Sequence, residues 1–240
     1  MSAKELKNRM GMIFRLGAII LLVGLMVIAA LRIFHWNAGG ASRRVLTLVN
    51  PWNPLSETGY TPKLTKVENG FLVDKACARN LERMLSDCRA SGRQPVLLGA
   101  YRSVDEQLVL YDEEVQRLVE AGKSPEEAES EASRKIAQPG RSEHELGLSI
   151  DMADIAYTEL DETQSTTQTA QWMNENAWRY GFILRYPRGA EAITGYGWHP
   201  WHYRYVGGDA AANIWALGIT LEEYLSMFYS EEAAVEVTAA

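Results

Sequence analysis

The chain has 240 residues, 47% of them apolar and 23% charged, enough for one mid-sized domain with an appendage and too apolar for a largely disordered chain. Its net charge of −7 is unevenly spread: residues 1–44 carry seven Lys/Arg against one acid, whereas 45–240 carry 17 basic and 30 acidic residues. An acidic main domain argues against nucleic acid as a partner, and two Cys with four His exclude a disulfide scaffold or a Cys-rich zinc module, so that a bound metal would use His with carboxylate.

Leu16–Leu31 is an unbroken run of sixteen apolar or glycine residues, lengthened by Met12–Phe14 and by Ile33 and Phe34, with Arg15 and Arg32 at the junctions. Sixteen helical residues span roughly 24 Å against a ~30 Å hydrocarbon core, and arginines that snorkel from the ends make up the difference. The run predicts one transmembrane helix from about Met12 to Phe34. A buried core helix would have little to pack against here. Ala29-Ala30-Leu31-Arg32 is a poor cleavage site, which favours an uncleaved signal anchor over 1–36 against a cleaved signal peptide. Lys4, Lys7, Arg9 and Arg15 precede the span while Arg32, Arg43 and Arg44 follow it, so the charge balance barely favours a cytoplasmic N-terminus.

Asn37–Arg44 reads as a tether, within a linker expected over 37–47, and an irregular arm with Pro51, Pro54 and Pro62 follows. Cys77, Leu81, Met84, Leu85 and Cys88 share one face of a helix opening at Asp74. Its two cysteines lie about 16 Å apart along the axis, too far for a disulfide. Pro95–Ala100 is a short strand delivering Tyr101-Arg102-Ser103, and Ser103 caps the next helix with Glu106 as its capping box. Ser124 to Glu127 is a second box with Pro125 at the first helical position. Pro139-Gly140 opens a loop carrying Ser142 and His144. Strands are expected over Gly147–Ile155, Phe182–Tyr186 and His202–Val206, a helix over Gln168–Tyr180 closed by Gly181, and terminal helices from Asp209 and Thr220. Helices mixed with short strands, without regular βαβ alternation, suggest an α+β domain over 48–229. The acidic, Ala-rich tail over 230–240 is expected to be disordered.

Three of the four histidines fall in two clusters: Ser142-Glu143-His144-Glu145-Leu146-Gly147-Leu148-Ser149-Ile150-Asp151 and Trp198-His199-Pro200-Trp201-His202-Tyr203-Arg204. Two imidazoles and one carboxylate make a catalytic zinc shell with a position left for water. His144 on a loop and Asp151 in the following strand can converge, with His202 arriving from a neighbouring strand. Arg204, in a strand beside that site, is expected to form a structural ion pair.

Ser142-x-His144-x-x-Gly147-x-Ser149-x-Asp151 closely resembles the S-x-H-x-x-G-x-A-x-D signature of the VanY-like D-alanyl-D-alanine carboxypeptidases. Pro200-Trp201-His202-x-Arg204-Tyr205-Val206-Gly207 is similar to that family's E-P-W-H-x-R-Y-V-G, and Tyr101-Arg102-Ser103 with Gln107 to its Y-R-S-x-x-x-Q. The resemblance runs from about Leu48 to Leu225. It implies an α+β fold, a small antiparallel sheet flanked by helices with zinc in a cleft, and cleavage of the terminal D-residue from peptidoglycan stem peptides. By the same resemblance His144, Asp151 and His202 hold the zinc, while Arg102, Gln107 and Ser142 hold the substrate's terminal carboxylate and backbone. Arginine suits that task because its planar fork pairs with a carboxylate at two points.

One position departs. Where the family signature has a glutamate, the general base, this chain has His199. A neutral imidazole also accepts a proton, but the imidazolium formed beside Zn²⁺ and Arg102 is disfavoured, so His199 is the weaker base. This leaves three outcomes: His199 serves as the base, Glu143 or Glu145 stands in, or the domain is a degenerate cell-wall-binding module. Removal of the last residue at an L,D bond is a further alternative. The expectation is a monomeric zinc D,D-carboxypeptidase, single-pass in the cell membrane, with its catalytic domain outside.

Overall fold

The computed structural model describes residues 43–229. The expected transmembrane span, most of the linker and the tail lie outside them; among the described residues no helix is long and apolar enough to cross a membrane. The linker expected over 37–47 ends sooner than its composition suggests. Arg43–Leu46 forms a 3-10 turn whose Val45 and Leu46 are buried, because each is covered by apolar side chains of a different cluster of the core.

Two antiparallel sheets follow. The smaller pairs β1 (Leu64–Lys66) with β2 (Leu72–Asp74), a hairpin too short to show a period in the sequence. The larger has the order β3 (Pro95–Gly99), β4 (Ser149–Asp154), β6 (His202–Tyr205), β5 (Phe182–Leu184), all antiparallel. The α+β class therefore stands, with each expected strand trimmed by one to three residues.

Alternation along the central strands splits the larger sheet into two unlike faces. Ile150 and Met152 of β4 and Tyr203 and Tyr205 of β6 enter the main core with Leu81, Met84 and Leu85 of helix α1 (Lys75–Ala90). Asp74 caps α1 as the sequence requires, accepting from Ala76 N at 2.9 Å. Cys77 and Cys88 are buried free thiols on that helix. The opposite face carries Ser149, Asp151, His202 and Arg204, all buried. Burying that polar row requires a partner for each charge.

The other helices close the layers. Both expected capping boxes form, opening α2 (Val104–Glu120) and α3 (Pro125–Lys135), which pack together around Tyr111, Leu118, Ala128 and Ala132. The helix expected over Gln168–Tyr180 divides into α4 (Gln168–Asn176) and a 3-10 turn over Ala177–Tyr180, ended by Gly181 at φ 82°. A one-turn α5 (Glu191–Thr194) precedes β6, and α6 (Gly208–Leu217) and α7 (Leu221–Tyr229) cover the far edge of the sheet.

The expected ion pair of Arg204 is present, within a larger buried network. Glu143 Oε1 accepts from Arg185 Nε at 2.7 Å and from Arg204 Nη1 at 2.8 Å, all three side chains being fully buried. Arg185 also grips Glu222 of α7 at 2.9 and 2.7 Å. Arg204 Nη2 donates to the carbonyls of Val45 and Thr47 at 2.9 and 2.8 Å, tying the N-terminal arm to the sheet. Burial alone would raise the Glu143 carboxyl, but the two guanidinium groups outweigh it and hold it far below the usual carboxylate range.

Breaking a buried pair leaves an uncompensated charge, at a cost of about 3–5 kcal/mol. Arg204→Met is expected to lower unfolding free energy by about that amount in denaturant titration, and a variant as stable as wild type would show that the network contributes nothing net.

Candidate metal centre and substrate cleft

Three elements bring the candidate ligands together. Asp151 of β4 stands directly opposite His202 of β6 in the strand register, so their side chains leave the sheet on the same face. His144 comes from a 3-10 turn, Glu143–Leu146, opened by Ser142, whose Oγ accepts from His144 N at 3.3 Å. Gly147 ends that turn at φ 66°, where an added Cβ would also meet Asp74 N at 2.9 Å. Both facts require glycine there.

The ligand atoms of His144, Asp151 and His202 all lie within 4.8 Å of one another. His144 Nε2 is 3.1 Å from Asp151 Oδ2, and His202 Nδ1 is 3.0 Å from Asp151 Oδ1. Three donors of a tetrahedral zinc shell stand about 3.4 Å apart, so the spacing fits a single ion. The outer ring atoms fit as well: His144 Nδ1 is 2.6 Å from the Ala100 carbonyl, and His202 Nε2 faces Glu143 Oε2 at 3.6 Å. Burial pushes His144 down, toward the neutral imidazole that ligation requires. Burial would do the same to His202, but its hydrogen bond to Asp151 and the facing Glu143 carboxylate outweigh that and raise it. Asp151, despite burial, is held well below the usual range by the two imidazoles.

A residue that the motifs did not single out makes this geometry possible. The ladder between β3 and β4 is irregular between Leu97 and Gly99, and such a bulge re-aims the residues beyond it. Leu97 pairs with Met152 on the core side, whereas Gly99 comes to lie opposite Asp151. A Cβ on Gly99 would collide with Asp151 Oδ2 and sit 3.1 Å from its carboxyl carbon. The glycine in Leu97-Leu98-Gly99-Ala100 is visible in the sequence, but its partner 52 residues on is not.

Arg102 lies next to the site through its backbone, Arg102 N donating to His144 O at 3.2 Å. Its Nη1 donates to Gln107 Oε1 at 2.7 Å, and Gln107 Nε2 donates to the Ala137 carbonyl at 2.6 Å. The buried Gln107 thus holds the guanidinium that the family resemblance assigns to a substrate carboxylate. Ser142 is buried at the mouth of the His144 turn. Ser149, where the family signature has Ala, is fully buried and its Oγ has no partner among the described residues.

His199 stands beside the three ligands and outside their cluster. Its ring stacks on Trp201, with centroids 4.7 Å apart and planes 20° apart, and meets the Tyr186 ring edge-on at 5.4 Å. Trp201 is therefore a wall of the site, while Tyr205 belongs to the core against Phe182. Burial first, and then the nearby His202, push the His199 imidazole down to about 4. Each glutamate considered as a stand-in is held through Oε1, and its Oε2 has no hydrogen-bond partner among the described residues. Glu143 is locked between two arginines, and Glu145 Oε1 accepts from Gly140 N at 2.9 Å.

Known proteins share this outline. A family model described as VanY, D-alanyl-D-alanine carboxypeptidase, matches residues 70–208. A D-alanyl-D-alanine carboxypeptidase of Enterococcus faecalis (strain ATCC 700802 / V583) is 38% identical over 182 residues, which are 75% of this chain and 65% of the relative. The chain therefore spans slightly less than two thirds of that relative's length. Two solved structures are similar across 76% of this chain. One is a mutant of the vancomycin resistance D,D-pentapeptidase VanY in complex with Zn(II), at 37% identity and TM-score 0.68 over 99% of that chain. The other is the LD-carboxypeptidase LdcB, at 34% identity and TM-score 0.64 over 86% of that chain.

Gly99→Ala is expected to displace Asp151 and to weaken zinc binding by about tenfold or more, the scale seen when a ligand loses its support. Chelator competition on the folded variant measures it, and an unchanged affinity would show that Asp151 does not depend on the gap beside it.

Proposed function

The chain belongs to the VanY family of D-alanyl-D-alanine carboxypeptidases, and from that premise we propose that it is a zinc-dependent D,D-carboxypeptidase acting on peptidoglycan stem peptides, with His199 as its general base. The observation that carries this reading is the convergence of His144, Asp151 and His202 within 4.8 Å, beside a guanidinium aimed by Gln107. An ion held there supplies polarisation of the scissile carbonyl and a lowered pKa for a water molecule.

The chain's own residues supply the rest. Arg102 pairs with the free carboxylate of the terminal residue, which restricts cleavage to the last peptide bond. His199, kept neutral by burial, accepts the water's proton at a ring nitrogen and returns it to the leaving amine. Trp201 and Tyr186 hold the imidazole plane, so little reorganisation accompanies the transfer. The imidazolium formed in that step lacks the compensation a glutamate would give, which makes turnover slower than with Glu at this position.

Two further parts of the reading rest on sequence and substrate chemistry. Peptidoglycan lies outside the cytoplasmic membrane, so the apolar run over 16–31 would anchor the chain there with its catalytic domain extracytoplasmic. The likeness to LdcB supports a second reading, cleavage at an L,D bond of the same polymer, by the same residues acting on a shorter stem peptide.

The full chain in detergent, incubated with muropeptides and followed by mass spectrometry, is expected to release D-alanine from pentapeptide stems and to stop on chelation. Loss of one residue from tetrapeptides alone would establish the L,D reading, and zinc-dependent binding without release would establish a degenerate module. His199→Ala is expected to lower kcat by about 10²-fold or more, and His199→Glu to raise it above wild type. Equal rates in wild type and His199→Ala would remove His199 from the chemistry.

Arg102→Lys keeps the charge and loses the fork. It is expected to lower kcat/KM on free-acid peptides by about tenfold or more, with zinc content unchanged. Equal kcat/KM for the two proteins would refute the carboxylate assignment.

A further inference from the structure

Glu143 adjoins His144 in sequence, yet its carboxylate ends behind the other histidine. An imidazole offers one nitrogen to a metal, and which one is set by what holds the other. For His144 the holder is plain: Nδ1 lies 2.6 Å from the Ala100 carbonyl, leaving Nε2 to face Asp151. His202 is turned the other way, with Nδ1 toward Asp151 and Nε2 buried. The group facing that Nε2 is Glu143 Oε2, at 3.6 Å, and neither atom has a hydrogen-bond partner among the described residues.

The two oxygens of Glu143 are used differently. Oε1 takes both arginines, at 2.7 and 2.8 Å, while Oε2 is left pointing at His202. The arginines are engaged elsewhere in turn: Arg185 by Glu222, and Arg204 by the carbonyls of Val45, Thr47 and Tyr205. Two carboxylates balance two guanidinium groups. An ion pair that served stability alone would have no need to leave one carboxylate oxygen buried and directed at an imidazole.

We infer that Glu143 is a positioning residue for the metal site: it holds the Nε2–H of His202, fixes the ring, and so presents Nδ1 to the ion. This rests on the zinc reading above. It assigns Glu143 a task other than proton transfer, and it makes metal affinity depend on the arm at Val45–Thr47 and on Glu222 of α7, which fix the two arginines.

The test has two parts on the full chain in detergent. Imidazole ¹⁵N–¹H correlation spectra of the zinc-loaded wild type are expected to show His202 protonated at Nε2; protonation at Nδ1 would overturn the proposal without any variant. Zinc affinity is then measured by chelator competition for Glu143→Gln and for Glu143→Asp, the latter keeping the charge but drawing the carboxylate back from His202. Both are expected to weaken zinc binding by about 10–100-fold. A purely structural ion pair predicts instead that Glu143→Asp lowers Tm with zinc affinity unchanged, and that result would overturn the proposal. If wild type takes up no zinc, the catalytic reading falls, while a His202 Nε2–H resonance in the zinc-free protein that moves in Glu143→Asp still establishes the contact.

Discussion

The site depends on one register. Gly99, Asp151 and His202 stand in a row across three neighbouring strands, and side chains in a sheet alternate with a period of two. A slip of β4 by one residue against β6 would send Asp151 into the apolar core and bring Ile150 or Met152 into its place. The apolar face makes such a slip costly, because Ile150, Met152, Tyr203 and Tyr205 all enter the core together. Packing on one side of the sheet thus fixes the metal geometry on the other. His144 is the ligand outside that row, and it is held by a backbone carbonyl at the end of β3, so the same sheet governs it too.

That polar face is the costliest part of the fold to bury. Its charges come in a compensated order: Asp151 between two imidazoles, Glu143 between two guanidinium groups, and Arg185 shared between Glu143 and Glu222. Arranged so, the carboxylates stay ionised in a setting whose desolvation alone would protonate them. The arm at Arg43–Leu46 and the last helix, far apart in sequence, meet through these arginines. Segments that read as peripheral are therefore connected to the chemistry by charge.

The sequence carries its local signals well. Asp74, Ser103 and Ser124 cap the helices that their neighbours predict, because a cap is a contact over two or three residues. The three candidate ligands converge within 4.8 Å of one another. Contacts that span distance stay hidden. Gly99 is one glycine among nineteen until Asp151 is placed against it, and Arg185 is a basic residue after a short strand until Glu143 and Glu222 close on it. The hairpin β1–β2 is hidden for another reason: strands of three residues are too short to establish a period.

If His199 stands where the resembled signature has glutamate, the site keeps its shape and changes its charge. The His199 ring fills the space between Trp201 and Tyr186 without a hydrogen bond from the protein among the described residues, and aromatic surroundings accept a neutral imidazole more readily than an anion. With a divalent ion beside Asp151, the family's glutamate would bring the centre to neutrality, whereas a neutral His199 leaves it one charge positive. A positive centre favours the carboxylate groups of substrate and product alike. Attraction of that kind acts on the ground state as much as on the transition state, so it tightens binding without accelerating the bond-breaking step. On the proposed reading, a histidine at this position would therefore shift the site from fast hydrolysis toward retentive binding of carboxyl-terminal peptides, with the ligand geometry common to both.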